Sequence, residues 1–158
     1  MQHGTALQLP TDKILARKAD GIGWLTFNQP ERRNAISLAM WDAVTAAVED
    51  FAGDRTVRVG VMSGAGGKAF ASGADISEFE KVRADADAQA AYARRSGRAR
   101  ELLAGLEVPL IAMVQGYCIG GGMATALQAD LRIASSDSRF GIPAARLGVS
   151  YGYGALDG

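Results

Sequence analysis

The segments VRVGVMSGAGGKAFASGAD, residues 57–75, and PLIAMVQGYCIGGG, residues 109–122, follow the same pattern. In each, a short apolar stretch that predicts a buried strand runs into a glycine-rich turn, and helix-forming residues follow. We expect the first turn to be a loop over 64–75 and the second to be a loop over 116–122. Strands and helices that alternate in this way indicate an α/β fold.

Each glycine-rich turn is predicted to open a helix, at Ala74-Asp75-Ile76 in the first case and at Gly120-Gly121-Gly122 in the second. The start of a helix leaves backbone N–H groups without intrahelical partners and carries a partial positive charge. Glycine lets another group approach that backbone closely. Two such starts facing each other would place two N–H donors around one oxygen. That is the geometry of an oxyanion hole, in which one donor contributes ~2.7–4 kcal/mol.

Two phosphate-binding motifs also use glycine-rich turns, and the sequence matches neither of them well. A Walker A loop needs glycine where Met62 stands, and Ser or Thr where Ala69 stands. A dinucleotide fingerprint that begins at Gly64-Ala65-Gly66 has Ala69 at its third glycine position. For one segment alone, a tight turn without a ligand is the better interpretation. A nucleotide-binding α/β domain is the weakest functional alternative.

Local signals predict the other elements and one domain. Asp20-Gly21 separates strands over 13–18 and 22–28 and is typical of a hairpin. Ser37 is the predicted N-cap of a helix that Gly53 closes. The further predicted elements are a strand over 57–63, a helical segment over 76–106 broken near Ser96-Gly97, a strand over 110–114, a helix over 123–128, and strands over 131–135 and 139–142. We predict a flexible leader over 1–10 and a single domain over 11–158.

Composition and charge restrict the class of protein. The 158 residues include 17 Lys+Arg and 17 Asp+Glu, so no basic excess is available for nucleic acid. His3 and Cys118 are the only histidine and cysteine, which argues against an intrachain disulfide and a metal site and favours a cytoplasmic location. No apolar run reaches ~18 residues, so we expect no membrane partner.

Four longer stretches point to a family. They are NQPERRNAIS at 28–37, KAFASGADISEF at 68–79, QGYCIGGGMATAL at 115–127 and DLRIASSDSRFGIPAARLGV at 130–149. Taken together, the chain resembles the crotonase superfamily, also called the enoyl-CoA hydratase/isomerase family. The resemblance implies a ClpP/crotonase-type spiral of ββα units, an acyl-CoA thioester as substrate, no cofactor apart from the coenzyme A of that substrate, and a homo-oligomer such as a trimer.

The resemblance also implies roles for individual residues. The backbone N–H groups of Ala74 and Gly121 would hold the thioester oxygen. Arg33 would lie near the CoA phosphates or ribose, with a solvated surface charge as the alternative. The implied substrate-binding set is Arg33, Ala35, Ser72, Gly73, Asp75, Ile76, Gly120, Pro143 and Ala144. From the residues alone, we expect the Asp75 side chain to cap a helix and Cys118 to be a buried, inert thiol.

The sequence departs from the family at two catalytic positions. Hydratases of this family use two glutamates, and Ala124 and Ala144 stand at those positions. Because a positioned acid or base contributes ~10²–10⁴-fold, we expect inefficient hydration. Tyr151 resembles a tyrosine of methylmalonyl-CoA decarboxylase and is a candidate proton donor, with simple packing as the alternative.

The reaction therefore stays open among hydration, isomerisation, decarboxylation and thioester hydrolysis. A non-catalytic CoA-binding protein or an inactive fragment is the alternative of another class. The chain stops at Asp157-Gly158, before the helical C-terminal region that the resemblance implies. We therefore expect a truncated core with exposed apolar surface, which favours association of copies.

Overall fold

The strands of the molecule form two sheets. The computed structural model describes residues 4–75, 77 and 85–143. The described strands are β1 (Thr5–Ala6), β2 (Ile14–Ala19), β3 (Ile22–Phe27), β4 (Val59–Gly64), β5 (Ala69–Ala71), β6 (Leu110–Val114), β7 (Tyr117–Ile119), β8 (Leu131–Ala134) and β9 (Arg139–Gly141). The larger sheet has the order β1-β2-β3-β4-β6-β8, and the smaller one has the order β5-β7-β9.

The N-terminal part of the larger sheet is antiparallel. Strands β2 and β3 pair from Ile14 with Phe27 to Ala19 with Ile22. The turn between them is Asp20-Gly21, where both residues have positive φ, of 55° and 79°. This backbone is the one that Asp-Gly favours in two-residue hairpin turns. The predicted hairpin is therefore confirmed, with strand ends that differ by one residue.

The parallel part of the structure repeats one unit. Strands β4, β6 and β8 add to the larger sheet, and the strand that follows each of them, β5, β7 or β9, adds to the smaller sheet. In each sheet these parallel strands lie side by side in the order in which they occur along the chain. Segments 64–75 and 116–122 are thus not loops throughout, as the sequence suggested, because β5 and β7 lie within them. These short strands lie inside glycine-rich segments, which favour a loop in the sequence, and they are stabilised by pairing with each other.

Glycine is required where the chain passes from one sheet to the other. Gly116, between β6 and β7, has a φ of 68°. A methyl group on its Cα would lie 2.1 Å from the Lys68 carbonyl oxygen, which is well inside a van der Waals contact. The Tyr117 N–H donates to the same oxygen at 3.1 Å. Close approach of two backbones therefore explains this glycine.

Helices α1 (Leu38–Gly53) and α2 (Ala86–Ala104) pack side by side, α1 contacts β2 and β3 of the larger sheet, and both helices contribute buried side chains to the core. The N-cap of α1 is Ser37, as predicted, and its Oγ accepts from Met40 N at 3.3 Å. The predicted break near Ser96-Gly97 is wrong, because α2 is continuous there. Ser96 is buried, and its hydroxyl donates to the Ala93 carbonyl within the helix at 3.2 Å. Of the predicted segment 76–106, residues 76 and 78–84 lie outside the described residues.

A short helix and a 3-10 turn complete the described elements. Helix α3 (Gly121–Ala126) begins two residues before the predicted Met123 and ends two before Gln128. The 3-10 turn, Pro30–Arg32, lies between β3 and α1. The other predicted strands are confirmed within two residues at each end.

The core lies between the larger sheet and the two long helices. Large side chains there are fully buried, among them Trp41, Phe27, Phe70, Ile14 and Leu25. Part of the segment that the sequence assigns to a leader belongs to this unit. Strand β1 pairs with β2, and Leu7 and Leu9 pack against the core. The packed unit therefore begins before residue 11, because these leucines bury apolar surface.

Apolar side chains remain exposed at the far edges of both sheets. Leu131 and Ile133 on β8 are 58% and 61% exposed, and Phe140 on β9 is 47% exposed. Exposed apolar clusters of this kind are typical of contact surfaces. Among the described helices, none is both long and apolar enough to cross a bilayer.

Candidate functional site

Two turns meet at the end of the smaller sheet. A methyl group built on Gly121 would lie 3.8 Å from Gly73 Cα and 3.9 Å from Ala74 N. A methyl group built on Gly73, whose φ is 104°, would lie 3.7 Å from Gly121 N. Within the described residues, neither the Ala74 N–H nor the Gly121 N–H donates a hydrogen bond. The structure thus brings together two half-buried, unused backbone donors.

The direction of the Ala74 N–H follows from one hydrogen bond. Ile36, just before α1, forms an isolated parallel bridge with Ala74. Its N–H donates to the Gly73 carbonyl at 2.7 Å, and its carbonyl accepts from Asp75 N at 3.1 Å. Carbonyl and N–H of one trans peptide point in opposite directions. The Ala74 N–H therefore points away from Ile36.

A side chain from helix α2 also reaches this bridge. The Tyr92 hydroxyl donates to the Ile36 carbonyl at 3.1 Å, so this oxygen accepts both Tyr92 Oη and Asp75 N. The sequence did not single out Tyr92, because the two residues are far apart in the chain. The sequence signal that could have indicated this contact is an isolated tyrosine among the alanines and arginines of α2.

Gly121 is held by tight backbone packing. Gly120 has a φ of 54°, and its N–H donates to the Gly141 carbonyl of β9 at 2.8 Å. A methyl group on Gly122 would lie 2.2 Å from the Ala71 carbonyl oxygen, so α3 packs directly on β5. The Thr125 hydroxyl donates to the Gly121 carbonyl at 2.7 Å. The glycines thus fix where α3 begins.

Asp75 is a buried charge that joins two segments, with only 6% of its surface exposed. Its Oδ2 accepts from Gln29 Nε2 at 3.1 Å, and both of its oxygens accept from Arg32 Nη1 at 3.1 Å. Its Oδ1 also accepts from Ser77 N at 3.1 Å and from Ser77 Oγ at 2.7 Å. The bond from Ser77 N is an Asx turn. The predicted capping role stays a prediction, because residues 76 and 78–84 of that helix lie outside the described residues.

The surroundings of Asp75 favour its charged form. Burial raises the pKa of this carboxyl, but the hydrogen bonds from Ser77 and Gln29 and the Arg32 charge lower it by more, so its pKa lies below the ordinary value. Arg32 Nη1 also donates to Ser77 Oγ. The carboxylate, the guanidinium and the hydroxyl therefore form one network next to the Ala74 donor.

Asn34 is a further structural residue that sequence reasoning missed. It is fully buried with a φ of 55°. Its Oδ1 accepts from Gln29 N at 2.8 Å, and its Nδ2 donates to the carbonyls of Ala65 and Ala69 at 3.0 and 2.8 Å. Asparagine tolerates left-handed backbone, and its amide fastens the 29–34 turn to the first glycine-rich segment. The sequence signal that could have indicated this role is the group of Asn and Gln side chains in the stretch NQPERRN, residues 28–34.

The other predicted binding residues surround these turns. The Arg33 guanidinium lies over the Tyr117 ring, 5.1 Å from its centroid, and Arg33 is exposed. Ser72 Oγ donates to the Arg32 carbonyl at 3.3 Å. The Ala35 carbonyl accepts from Gln29 Nε2 at 3.3 Å. Ala35 and Ser72 therefore take part in the same segment contact as Asp75.

Four of the predicted residues lie at the edge of, or outside, the described ranges. Pro143 is half-buried and is the last described residue. Ile76, Ala144 and Tyr151 lie outside the described residues. Residues 4–75, 77 and 85–143 contain no group of three or more His, Cys, Asp or Glu side chains that could hold a metal ion.

Comparison with known proteins assigns the family. Residues 17–157 match the family model described as enoyl-CoA hydratase/isomerase. The chain belongs to this enoyl-CoA hydratase/isomerase family. Over 144 residues it is 33% identical to a short-chain-enoyl-CoA hydratase of Clostridium acetobutylicum, a match covering 90% of this chain and 54% of that protein. It is 34% identical over 148 residues to a crotonyl-CoA hydratase of Syntrophomonas wolfei, with the same coverage.

Solved structures agree with this family and with the crotonase-like α/β fold. An enoyl-CoA hydratase/carnithine racemase from Magnetospirillum magneticum superposes with a TM-score of 0.88 and 36% identity. The match covers 92% of this chain and 55% of that one. The chain therefore spans about half the length of the relatives it matches.

In this family member, α3 carries alanine where the resemblance implies a hydratase glutamate. Ala124 is buried, and its N–H donates to the Gly120 carbonyl at 3.0 Å. Cys118 is fully buried, and burial raises the pKa of its thiol to about 12. Neither side chain supplies a proton-transfer group near neutral pH.

Proposed function

We propose that this chain binds an acyl-CoA thioester and stabilises negative charge on the thioester oxygen with the N–H groups of Ala74 and Gly121. The carrying observation is the close approach of Gly121 to the Gly73-Ala74 peptide, with neither N–H used as a donor in the described residues. Donors that are fixed in advance stabilise a developing oxyanion most. The names of the relatives, a short-chain-enoyl-CoA hydratase and a crotonyl-CoA hydratase, support a short acyl group.

The coenzyme A of the substrate is the only cofactor that this proposal needs. Arg33 is exposed and stacked on Tyr117, which supports a role near a phosphate or ribose. We place the remaining substrate contacts at positions that follow from family membership, namely Ala35, Ser72, Gly73, Ile76, Gly120, Pro143 and Ala144. The Asp75 carboxylate, buried against Gln29 and Arg32, is not counted among these contacts.

The proposed chemistry is formation of an enolate rather than addition of water. Alanine at 124 and 144 leaves no carboxylate at the two hydratase positions. In a decarboxylation, the electrons of the C–C bond pass towards the thioester oxygen as CO₂ leaves, and this step needs the oxyanion donors most. Isomerisation and thioester hydrolysis also pass through an oxyanion, and Tyr151 is the proposed proton donor. The second candidate, a non-catalytic acyl-CoA-binding protein, is favoured by the same alanines.

Substitution of Gly121 by proline tests the oxyanion donors. Proline removes the donor N–H, and the first position of a helix is where proline fits best. Acetoacetyl-CoA is the probe, because its enolate has an ultraviolet absorbance band that the keto form lacks. We expect the wild type to generate this band and Gly121→Pro to lower the enolate yield by ~10²–10³-fold, with free CoA binding retained.

Gly97→Ala is the matched control, because Gly97 lies in α2 with no atom within 4 Å of an added methyl group. Equal enolate formation by the wild type and Gly121→Pro would contradict the proposal. Turnover of malonyl-, crotonyl- and acetoacetyl-CoA then separates an enzyme from a binding protein. Released CoA can be read with a thiol reagent, since the sole cysteine, Cys118, is buried.

We also propose that copies of the chain associate. Leu131, Ile133 and Phe140 expose apolar surface at the outer strands of both sheets, which supports a homo-oligomer such as a trimer. Sedimentation equilibrium measures the assembly, and a monomer at all concentrations contradicts this part of the proposal.

A further inference from the structure

Among the described residues, the backbone hydrogen bonds of Gly73–Asp75 to other segments all go to residues 29–36. Two backbone hydrogen bonds to Ile36 hold this backbone there, at 2.7 and 3.1 Å. The Asp75 carboxylate adds bonds to Gln29 and Arg32 of the same segment. Side-chain and backbone bonds therefore act on the same short piece of chain.

The charge of Asp75 exceeds what a helix cap requires. An asparagine would accept from Ser77 N equally well, and caps of either kind are similar in strength. Instead, a carboxylate that is 6% exposed is matched by Gln29, which is 1% exposed, and by the Arg32 guanidinium. Buried charge is costly unless it is paired and hydrogen-bonded. The donors of Gln29 and Arg32 on one side and of Ser77 on the other therefore favour a carboxylate at this position over an amide.

Resting on the proposed function, we propose that Asp75 is a positioning residue for the oxyanion donor. Its carboxylate, held by Gln29 and Arg32, keeps the Gly73–Asp75 backbone against residues 29–36, and this fixes the direction of the Ala74 N–H. Asp75 itself does not touch the thioester. Its effect is on charge stabilisation at the oxygen and not on attachment of the CoA moiety.

Asp75→Asn tests this role, with Asp85→Asn as the matched control. The control makes the same chemical change in another Asx turn, where Asp85 Oδ1 accepts from Asp87 N at 2.9 Å and the side chain is exposed. In Asp75→Asn, an amide N–H₂ faces the donors of Gln29 or Arg32. A displacement near 1 Å at a reacting centre costs ~10²-fold. We expect the enolate yield of acetoacetyl-CoA to fall by ~10–10²-fold in Asp75→Asn alone, together with the kcat of whichever acyl-CoA the wild type turns over. The Kd of free CoA should stay unchanged.

A conservative pair at Arg32 keeps the test valid if Asp75→Asn unfolds. Arg32 is half-exposed, so its substitution leaves the core intact. Arg32→Lys keeps a positive charge beside Asp75, and Arg32→Met removes it. We expect Arg32→Lys to form more enolate than Arg32→Met at equal folded fraction.

Each outcome decides the proposal. Wild-type enolate yield in Asp75→Asn overturns it, and so do equal yields in the two Arg32 variants. Loss of CoA binding in parallel with enolate yield shows a merely structural role and overturns it too. If the wild type forms no enolate and Gly121→Pro changes nothing, the proposed function itself is wrong. If the wild type forms the enolate but Asp75→Asn forms it equally well, only the role of Asp75 is wrong.

Discussion

Replacing Gly122 by alanine should perturb one of the two proposed oxyanion donors, the Gly121 N–H, through packing alone. Gly122 is the second residue of α3, and the added methyl group would lie 2.2 Å from the Ala71 carbonyl oxygen, 2.7 Å from the Ala71 carbonyl carbon and 2.8 Å from its Cβ. Nonbonded carbon atoms prefer separations of ~3.5–4.0 Å. Because the obstacle is the backbone of β5, α3 must move by about 1 Å to fit the methyl group.

The size of the effect follows from that displacement. Overpacking of this kind costs ~1–3 kcal/mol of stability. In a chain of this length, each kcal/mol corresponds to ~2–4 °C in Tm, so we expect Gly122→Ala to melt several degrees lower. The Gly121 N–H moves with the helix start, and a 1 Å misplacement costs ~10²-fold in rate. We therefore expect the enolate yield of acetoacetyl-CoA to fall by ~10²-fold at a temperature where the variant is fully folded.

Differential scanning fluorimetry and the absorbance of the acetoacetyl-CoA enolate measure the two effects separately. Gly97→Ala is the control, because a methyl group there meets nothing within 4 Å. It should raise stability by ~0.5–1 kcal/mol, because glycine in a helix interior is unfavourable, and leave the enolate yield unchanged. A folded Gly122→Ala with wild-type enolate yield would refute the link between the packing of α3 on β5 and the donor geometry.

Three further predictions concern individual side chains. Because the pKa of Asp75 is lowered in the folded state, its stabilisation is present above the ordinary value of 3.8 and is lost as pH falls through the folded pKa. The wild type should therefore exceed Asp75→Asn in urea-unfolding free energy at about pH 7 and lose this advantage progressively as the pH falls below 3.8; an advantage that grows in acid contradicts this sign. Cys118, with its pKa raised to about 12, should react with a thiol reagent at pH 8 only after unfolding, and rapid labelling of the native chain would show that the thiol is not buried. Ala124→Glu combined with Ala144→Glu should increase crotonyl-CoA hydration by ~10²-fold or more, measured as loss of the enoyl absorbance, and unchanged hydration would show that carboxylates at these positions do not limit the reaction.

Local signals in the sequence predicted the elements that local chemistry determines. The Asp20-Gly21 hairpin and the Ser37 cap of α1 depend on residues next to each other in the chain, and both are confirmed. Strands β5 and β7 were missed because each lies inside a glycine-rich segment that is typical of a loop, and because each is stabilised by pairing with a distant strand. The break predicted in α2 is wrong because Ser96 lies on the buried face of a continuous helix, where tertiary packing outweighs the low helix propensity of serine and glycine.

The contacts around the candidate site were predicted only in part, for a related reason. Glycine positions and the family resemblance placed Gly73, Ala74 and Gly121 on the same site, and the structure brings these residues together. Gln29 and Tyr92 were not predicted. Their partners are 46 and 56 positions away in the chain, and hydrogen bonds over such separations leave no periodic pattern.

The two unused N–H donors are held in place by different kinds of interaction. The Ala74 side has two backbone hydrogen bonds to Ile36, and in our proposal it also depends on the bonds that the Asp75 carboxylate accepts from Gln29 and Arg32. The Gly121 side depends on the absence of a side chain at Gly122, where α3 packs on β5. Charge and pH should therefore act on the first donor, and added volume on the second. A backbone N–H is not a side chain, so its position depends on the residues that pack around it. Substitutions at those neighbouring residues are therefore the most direct probes of the site.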